Sequence, residues 1–428
     1  MKTLHFTNAY HATSGGIRTF YQEMLAAANR QRRWMRLVVP SDRTAVEEVG
    51  EYGRIYHLTA PRSWLFDVRY RLLLPHTYLF SARSQIRQIL LNEKPDLIEV
   101  CDKYSLCWLA GLIRKGWWRD VPRPALIGLS CERMDDNLAA WVAGPSLSQK
   151  FAQLYLRHLY LPLFDYHIAN SQYTASELQQ ATTKRHERIV RVCPMGVNMD
   201  VFSPARRNRE TRRKLLTLIA GNERTRLLLY AGRLSAEKNL PLLLDTMRCL
   251  RREEGRDFRL LIAGDGPLAN WLRQENLRQP NPPMHLLGQL QSREALADLY
   301  ANCDAFVHPN PHEPFGIAPL EAMASGLPLV APKAGGVLTY ANTENAWLAA
   351  PNGEAFADAV REVFADEEVR WHRVNRARRT AAAYSWDNIT TEFFKLYDQL
   401  YHLAQEETST GRFSHTKQRK GKLALAEK

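Results

Sequence analysis

The part of the sequence with the most chemical potential is a proline-rich loop that leads into a short predicted helix, at residues 308–326. Pro319 fits the first turn of such a helix, and Gly326 supplies its end. The N–H groups and the dipole at a helix start favour a bound anion. Glu313 precedes the helix and Glu321 lies within it. The spacing predicts an anion site with one carboxylate beside it and another that reaches ribose hydroxyls. The alternative is one capping acid and one surface acid.

Two cations follow a predicted strand that ends at Gly232. Arg233 and Lys238 occupy the next loop, where arginine binds a diphosphate through two hydrogen bonds and lysine acts as a point charge. A solvated loop is the alternative for either cation alone. Together with the acidic helix further along the chain, the pair favours a phosphate-binding function.

Glycine turns follow two more predicted strands. Gly264 begins a Gly-Asp-Gly-Pro turn, and Gly15 and Gly16 open the first predicted helix. Such glycines permit close approach of a ligand or simply form a tight turn. Neither turn is a full dinucleotide fingerprint, so a nicotinamide site is disfavoured. The sequence also contains no Asp-x-Asp triplet and no phosphate-loop or metalloprotease motif. We therefore predict no metal and no cofactor.

Short apolar runs alternate with longer amphipathic stretches, which predicts parallel sheets covered by helices. The predicted strands are 3–7, 35–39, 97–100, 125–129 and 166–169, and then 226–231, 259–263, 284–287, 305–308 and 328–331. The predicted helices are 19–29, 84–92, 173–180, 240–252 and 293–301. The expected fold class is α/β, with two Rossmann-like doubly wound domains that face each other across a cleft.

A turn-rich and then strongly charged segment, residues 197–213, separates the two series of strands. We predict a first domain over residues 1–200 and a second over 201–385. A last helix, 386–407, would brace the first domain, and a basic tail, 408–428, would be disordered.

The chain has 428 residues with a net charge of +13, and its composition excludes a disordered or fibrous protein. It lacks a long apolar run and a secretory leader, and its six cysteines are scattered, so we expect a cytoplasmic protein. No nucleic-acid-binding motif accompanies the basic charge, which argues against a nucleic-acid partner. Basic and aromatic residues mix at 64–80 and 115–119. This pattern suits peripheral contact with an anionic membrane, or a buried helix with a basic outer face.

Taken in chain order, the two glycine turns, the cationic loop and the acidic helix resemble the retaining glycosyltransferases of family 4, which have the two-domain GT-B fold. The resemblance extends from residue 1 to about residue 401, and residues 313–328 are its most specific part. Residues 99–105, 130–135 and 194–202 look most like bacterial α-mannosyltransferases that act on lipid acceptors.

The resemblance implies transfer of a hexose, with mannose or glucose favoured, from a nucleotide diphosphate sugar to a lipid-linked or glycan acceptor. It also implies retention without an essential metal. Arg233 and Lys238 would bind the donor diphosphate, Glu313 would hold the sugar hydroxyls, and Glu321 would hold the ribose. The first domain would bind the acceptor and the second the nucleotide sugar. The other implied donor-binding residues are Gly15, Gly16, Gly232, Gly264, Phe315, Gly316 and Ile317.

One departure from the family pattern concerns Cys131, which stands where relatives often carry a histidine. A thiol cannot replace the hydrogen bond of an imidazole at equal strength, although the neighbouring Glu132 could substitute for it. A catalytically impaired nucleotide-sugar-binding protein is therefore one alternative. A nucleotide-sugar epimerase is another, although no acid/base pair for it is identified.

Overall fold

The computed structural model of the protein describes residues 1–11, 15–63, 70–79, 84–141, 144–182, 190–251, 257–279, 283–290 and 292–409. Its first sheet has eight strands in the order β3-β4-β2-β1-β5-β6-β7-β8. Their bounds are β1 (Lys2–Thr7), β2 (Trp34–Ser41), β3 (Ala45–Val49), β4 (Gly53–Thr59), β5 (Leu97–Cys101), β6 (Ala125–Ser130), β7 (Tyr166–Ala169) and β8 (Val190–Val192). All neighbouring pairs are parallel except β3 and β4.

The second sheet is parallel throughout and has six strands in the order β11-β10-β9-β12-β13-β14. Their bounds are β9 (Arg226–Ala231), β10 (Phe258–Ala263), β11 (Met284–Gly288), β12 (Ala305–Val307), β13 (Leu329–Pro332) and β14 (Trp347–Ala349). The central strands are buried almost completely, which explains why they are uninterrupted apolar runs in the sequence.

Helices connect the strands in both halves. In the first half they are α1 (Gly16–Arg30), α2 (His76–Leu79), α3 (Gln85–Glu93), α4 (Cys107–Arg114), α5 (Met134–Trp141), α6 (Pro145–Tyr155) and α7 (Gln172–Ala181). In the second half they are α8 (Arg209–Leu218), α9 (Pro241–Leu250), α10 (Ala269–Leu277), α11 (Arg293–Asn302), α12 (Ile317–Ala324), α13 (Gly353–Val363), α14 (Glu367–Ala383) and α15 (Trp386–Ser409). This alternation confirms the predicted fold class of two doubly wound α/β sheets.

The order of each sheet reverses direction at one central strand. In the first sheet β1 lies between β2 and β5, and in the second β9 lies between β10 and β12. The loops that leave such a strand and its neighbour diverge to opposite faces, which opens a crevice beyond the carboxyl ends of the strands. Both crevices border the space between the two sheets.

The last helix, α15, returns to the first sheet. Phe393, Phe394 and Tyr397 of this helix are buried in one cluster with Phe20 and Tyr21 of α1. The helix ends at Ser409, two residues beyond the predicted 386–407, and the remainder of the predicted tail lies outside the described residues. A search of the described helices finds none that combines the length and apolar character needed to cross a bilayer.

Candidate functional site

The loop after β9 and the loop after β12 meet at one edge of the second sheet, because these two strands are parallel neighbours. Lys238 ends a short turn in the first loop and Glu313 lies in the second. Lys238 Nζ donates to Glu313 Oε2 at 2.8 Å, and Asn310 Nδ2 donates to the same oxygen at 3.2 Å. The structure thus brings together two of the residues that the sequence assigned to a donor site.

The Lys238–Glu313 pair is charged despite its partial burial. Burial acts to raise the pKa of Glu313, but the neighbouring Lys238 and His308 outweigh it and bring the value to about 2. Burial acts to lower the pKa of Lys238, and the Glu313 carboxylate more than compensates, so this pKa is raised. Burial lowers the pKa of His308 to about 4. At neutral pH the site therefore holds an ammonium, a carboxylate and a neutral imidazole.

Arg233, the other predicted cation, reaches across to the first half of the chain. Its Nη1 donates to the Tyr70 hydroxyl at 2.6 Å, and the guanidinium lies 5.1 Å from the centre of the Tyr70 ring. His11 from the loop after β1 packs its ring 4.6 Å from the same tyrosine. Tyr70 therefore lies in the cleft, which corrects its assignment to a membrane-facing stretch.

Other residues of that stretch are also turned inward. Tyr78 is fully buried and donates from its hydroxyl to the backbone oxygen of Ser105. Residues 64–69 and 80–83 lie outside the described part of the chain. In the second predicted membrane segment, Trp117 is 69% exposed whereas Trp118 is buried. The membrane prediction thus fails for Tyr70 and Tyr78, and it stays a prediction for residues 115–119.

The start of α12 is shaped by Gly316, whose φ of +88° lies in the left-handed region that favours glycine. The Gly316 carbonyl accepts a hydrogen bond from the Tyr340 hydroxyl, and Phe315 is buried against the Tyr340 ring. As the N-cap, Gly316 has no side chain that could accept from the first turn of the helix, and the first backbone N–H groups of a helix have no partner within it.

The glycines of the site allow close approaches between loops. A Cβ at Gly264 would lie 1.9 Å from the carbonyl oxygen of Gly232, so the two turns can pack only with glycine at position 264. A Cβ at Gly16 would lie 3.3 Å from Cδ1 of Ile317. Gly15 and Gly16 begin α1, so the starts of α1 and α12 face each other across the cleft. Thr13 and Ser14, which precede these glycines in the sequence, lie outside the described residues.

Glu321 lies on the second turn of α12, and only 8% of it is exposed. Burial raises its pKa to about 7, against the opposing effects of Arg293 and of the Tyr300 hydroxyl. That hydroxyl lies 3.3 Å from Glu321 Oε2. Glu321 is therefore close to half-ionised at neutral pH, unlike Glu313.

Cys131 and Glu132 follow β6 on the opposite side of the cleft. Burial raises the pKa of Cys131 well above its ordinary value, and the nearby Cys101 adds to the shift, so the thiol stays protonated. Burial also raises the pKa of Glu132, whose carboxylate accepts from Asn137 at 3.0 Å. The pair thus offers a neutral thiol and a carboxyl that is harder to ionise than usual.

A buried ion pair that the sequence analysis missed holds this loop in place. Lys103 Nζ bonds Glu177 Oε2 at 2.7 Å and also donates to the backbone oxygen of Glu132. Glu177 Oε1 accepts from the backbone N–H groups of Met134 and Asp135 at 2.6 and 3.0 Å, and so caps α5. The partners are 74 positions apart, and no local pattern reveals such a pair.

A second set of missed contacts joins the two halves across the cleft. His312 Nδ1 lies 3.1 Å from Asp136 Oδ1 and 3.1 Å from the Tyr173 hydroxyl. Tyr173 donates to Asp136 Oδ2 at 2.6 Å, and Ser171 Oγ donates to the Pro314 carbonyl. The loop that carries Glu313 is therefore fixed to α5 and α7 of the first half.

Two family models match the chain, one in each half. Residues 14–201 match "Glycosyltransferase Family 4", and residues 217–380 match "Glycosyl transferases group 1". The cationic loop and α12 both fall within the second match, and the start of α1 within the first.

Two relatives from Mycobacterium tuberculosis are similar along much of their length. The chain is 28% identical to a GDP-mannose-dependent alpha-(1-6)-phosphatidylinositol dimannoside mannosyltransferase over 387 residues, which is 90% of this chain and 93% of the relative. It is 30% identical to a GDP-mannose-dependent alpha-mannosyltransferase over 258 residues, which is 60% of this chain and 62% of the relative.

Among solved structures, Anabaena HepE in complex with UDP and glucose superposes with a TM-score of 0.67. The alignment covers 93% of this chain and 99% of HepE, at 16% identity. The fold, the site geometry and both family matches agree, and the chain belongs to the glycosyltransferases of the GT-B fold, with a family 4 first half and a group 1 second half.

Proposed function

We propose that the protein is a retaining mannosyltransferase that uses GDP-mannose as donor and a lipid-linked mannoside as acceptor. The observation that carries the proposal is the hydrogen bond between Lys238 and Glu313 just before α12, with the charge of Arg233, from the same loop as Lys238, acting on that lysine. Two cations and a helix start together fit a diphosphate better than any other common ligand. The choice of mannose rests on the two mycobacterial relatives, and the choice of a lipid acceptor rests on the first of them, the phosphatidylinositol dimannoside mannosyltransferase.

Donor binding would break the contact between Lys238 and Glu313 and give each residue a new partner on the donor. As the diphosphate binds, Lys238 turns from the carboxylate to a phosphate oxygen, and Arg233 contributes a second positive group. The Glu313 carboxylate is then available to accept hydrogen bonds from the hexose hydroxyls. Because its pKa is about 2, it stays ionised and remains an acceptor across the physiological pH range.

The reaction itself would develop negative charge on the departing diphosphate. Preorganised cations and backbone N–H groups of Gly16, Gly316 and Ile317 stabilise that charge without reorganisation. The acceptor hydroxyl attacks the face from which the diphosphate leaves, which preserves the configuration at the sugar carbon and requires no protein nucleophile. Glu321 would bind the ribose from the second turn of α12.

We also propose that no metal ion is needed, because Arg233 and Lys238 supply the positive charge. The purified protein is expected to keep its full turnover of GDP-mannose in excess EDTA. Complete loss of turnover that Mg²⁺ or Mn²⁺ restores would contradict this part of the proposal.

A donor panel tests the central claim. Purified protein is incubated with GDP-mannose, GDP-glucose, UDP-glucose or UDP-galactose, together with a mannosylated inositol phospholipid or its water-soluble headgroup. We expect GDP release and product formation with GDP-mannose, and an α-anomeric signal of the new linkage by NMR. Turnover of another donor, without turnover of GDP-mannose, would show that the donor assignment is wrong. A β-linkage in the product would show that the enzyme does not retain the configuration. Tight GDP-mannose binding without turnover would favour the catalytically impaired alternative.

A further inference from the structure

The helix α6 carries an exposed apolar face that none of the described residues covers. Leu147, Phe151 and Leu154 are 66%, 57% and 61% exposed. At spacings of four and three residues they stand one above another on a single face of the helix. The opposite face is held against the domain through buried Ser148 and Ala152. The orientation of α6 is thus fixed, and its apolar side faces solvent.

The charged residues of this segment have one sign. No acidic residue occurs from Pro145 to Leu163, whereas Lys150 and Arg157 lie exposed along one side of the apolar row. Arg157 is held in place by hydrogen bonds to the carbonyl oxygens of Ala181 and Gln180 at the end of α7. An apolar row beside fixed cations is the pattern of a helix that lies in a lipid headgroup layer.

A second exposed aromatic residue lies in the same layer of helices. The helix α4 packs against the turn that follows α6, with Gly111 close to Leu163. Trp117 follows α4, is 69% exposed, and has Lys115 and Arg119 as near neighbours in the sequence. Tryptophan with flanking cations is typical of the membrane–water interface.

The position of α6 relates this face to the candidate site. The helix packs against α5, and α5 in turn contacts the short turn Ala236–Lys238, which carries a donor-site cation. Asp136 of α5 also contacts His312 across the cleft. The apolar face is therefore one helix away from the cleft, on the half of the molecule to which the acceptor side is assigned.

We propose that the exposed face of α6 docks on an anionic lipid bilayer and sets the cleft beside the membrane surface. This inference rests on the proposed function, because it explains how a lipid-linked acceptor would reach the cleft. Apolar side chains enter the headgroup boundary, and Lys150 and Arg157 pair with anionic headgroups. Binding strengthens with the fraction of anionic lipid and weakens as salt shortens the Debye length.

The test compares two triple variants by vesicle co-sedimentation. One is Leu147→Ser/Phe151→Ser/Leu154→Ser. The control, Leu218→Ser/Leu277→Ser/Trp371→Ser, removes side chains of similar exposure, 56%, 66% and 62%, from the second half. With phosphatidylglycerol-containing vesicles at low salt, we expect the α6 variant to bind at least about tenfold more weakly than the unaltered protein. We expect the control to bind normally. Equal binding by all three proteins, or equal recovery on neutral vesicles, would overturn the inference.

Two further measurements separate this inference from the proposed function. GDP-mannose affinity and turnover with the water-soluble headgroup are expected to be the same in the α6 variant and the unaltered protein. Loss of donor binding in the unaltered protein, with vesicle binding intact, would refute the donor assignment alone. Light scattering tests whether a second copy of the protein packs on the α6 face instead of lipid. A dimer that dissociates when the α6 substitutions are introduced would refute lipid docking.

Discussion

The candidate donor site depends on a few side chains whose charge is set by burial and by each other. Glu313 and Glu321 are both carboxylates at the start of α12, yet their pKa values lie on opposite sides of 4.5, at about 2 and about 7. Glu313 has Lys238 as its partner, whereas Glu321 is buried with only a tyrosine hydroxyl and a more distant arginine. The two residues therefore differ in what they offer a ligand at neutral pH.

Replacing Lys238 with alanine is expected to weaken GDP-mannose binding at least about tenfold and to lower kcat/KM roughly 100-fold. The lysine supplies a charge that the diphosphate needs most as it leaves. Titration calorimetry and steady-state kinetics measure the two effects. The matched control is Lys214→Ala, which breaks a Lys–Glu contact of similar length, 2.7 Å, on the exposed face of α8. Unchanged donor affinity in a folded Lys238→Ala protein would show that Lys238 does not bind the donor.

Glu321 is expected to make the protein less stable as the pH rises from about 4.5 to about 7. Over this range the unfolded state releases the proton, while the folded state keeps it because burial holds the pKa at about 7. Above pH 7 this group therefore lowers the free energy of unfolding by up to about 3 kcal/mol. In Glu321→Gln this loss is absent.

Denaturant unfolding of Glu321→Gln at pH 4 and pH 8 measures this effect. The variant should match the unaltered protein at pH 4 and exceed its free energy of unfolding by up to about 3 kcal/mol at pH 8. Glu362→Gln, at an exposed position on α13, should show no such gain. The same difference at both pH values would contradict the burial argument.

The sequence predicted which loops carry the site but not what those loops contact. Arg233, Lys238 and Glu313 each follow a buried strand, and parallel strands bring the loops at their carboxyl ends together. Tyr70 lies 163 positions from Arg233 along the chain, and Asp136 and His312 belong to different halves. Contacts of this kind depend on how the two halves dock, which no local spacing encodes.

At the level of elements, the buried central strands were predictable, whereas three of the four edge strands, β3, β8 and β14, were not. All ten predicted strands exist, with ends shifted by at most two residues. The missed strands include β3 and β4, the antiparallel pair at one edge of the first sheet. Three of the five residues of β3 are exposed and two of these are glutamates, so the strand lacks the apolar run that marked the central strands. The missed β14 has only three residues.

The last helix, α15, is hydrogen-bonded to a polar group that is remote in the sequence, the Glu99 carboxylate. Glu99 on β5 is fully buried and accepts from His5 at 3.0 Å, from Tyr21 at 2.9 Å and from the Tyr397 hydroxyl of α15. Its second carboxylate oxygen faces Tyr397. A buried oxygen that loses its donor keeps the full cost of its desolvation.

Tyr397→Phe is therefore expected to lower the free energy of unfolding by about 1–3 kcal/mol. Chemical denaturation followed by circular dichroism measures the loss. Tyr401→Phe, one turn further along α15 and only half-buried, is the control and should cost much less. Equal losses in the two variants would show that the hydroxyl contact with Glu99 does not stabilise the helix in its docked position.

The whole molecule is held together along two routes, one behind the cleft and one across it. Behind the cleft, α15 packs on α1, and Arg33 pairs with Asp398. Across the cleft, the hydrogen bonds and ion pairs of the described residues include a cluster of His312, Asp136 and Tyr173. The connection behind the cleft is therefore mainly an apolar cluster with ion pairs at its rim, whereas the polar contacts at the mouth of the cleft can exchange with water. Such a division suits a molecule that must open to admit a donor.

The contact across the cleft is expected to make closure depend on pH. The hydrogen bond with Asp136 raises the pKa of His312, aided by the charges of Asp136 and Asp135 and opposed by partial burial and by Arg133. Protonated His312 therefore prefers the closed arrangement. The preference is complete below the ordinary histidine pKa of about 6.5 and is lost as the pH rises through the raised value. Tyr173 adds a hydrogen bond in the same place.

Small-angle scattering at pH 5.5 and pH 8.5 tests this expectation without a donor. The unaltered protein should have the smaller radius of gyration at pH 5.5, and Asp136→Asn should remove most of the difference, because the neutral amide lacks the charge that favours an imidazolium. Glu368→Gln is the matched control: Glu368 lies 3.8 Å from His372 within α14, far from the domain boundary in the sequence, and its removal should leave the response intact. A pH response that survives in Asp136→Asn would show that another group controls closure.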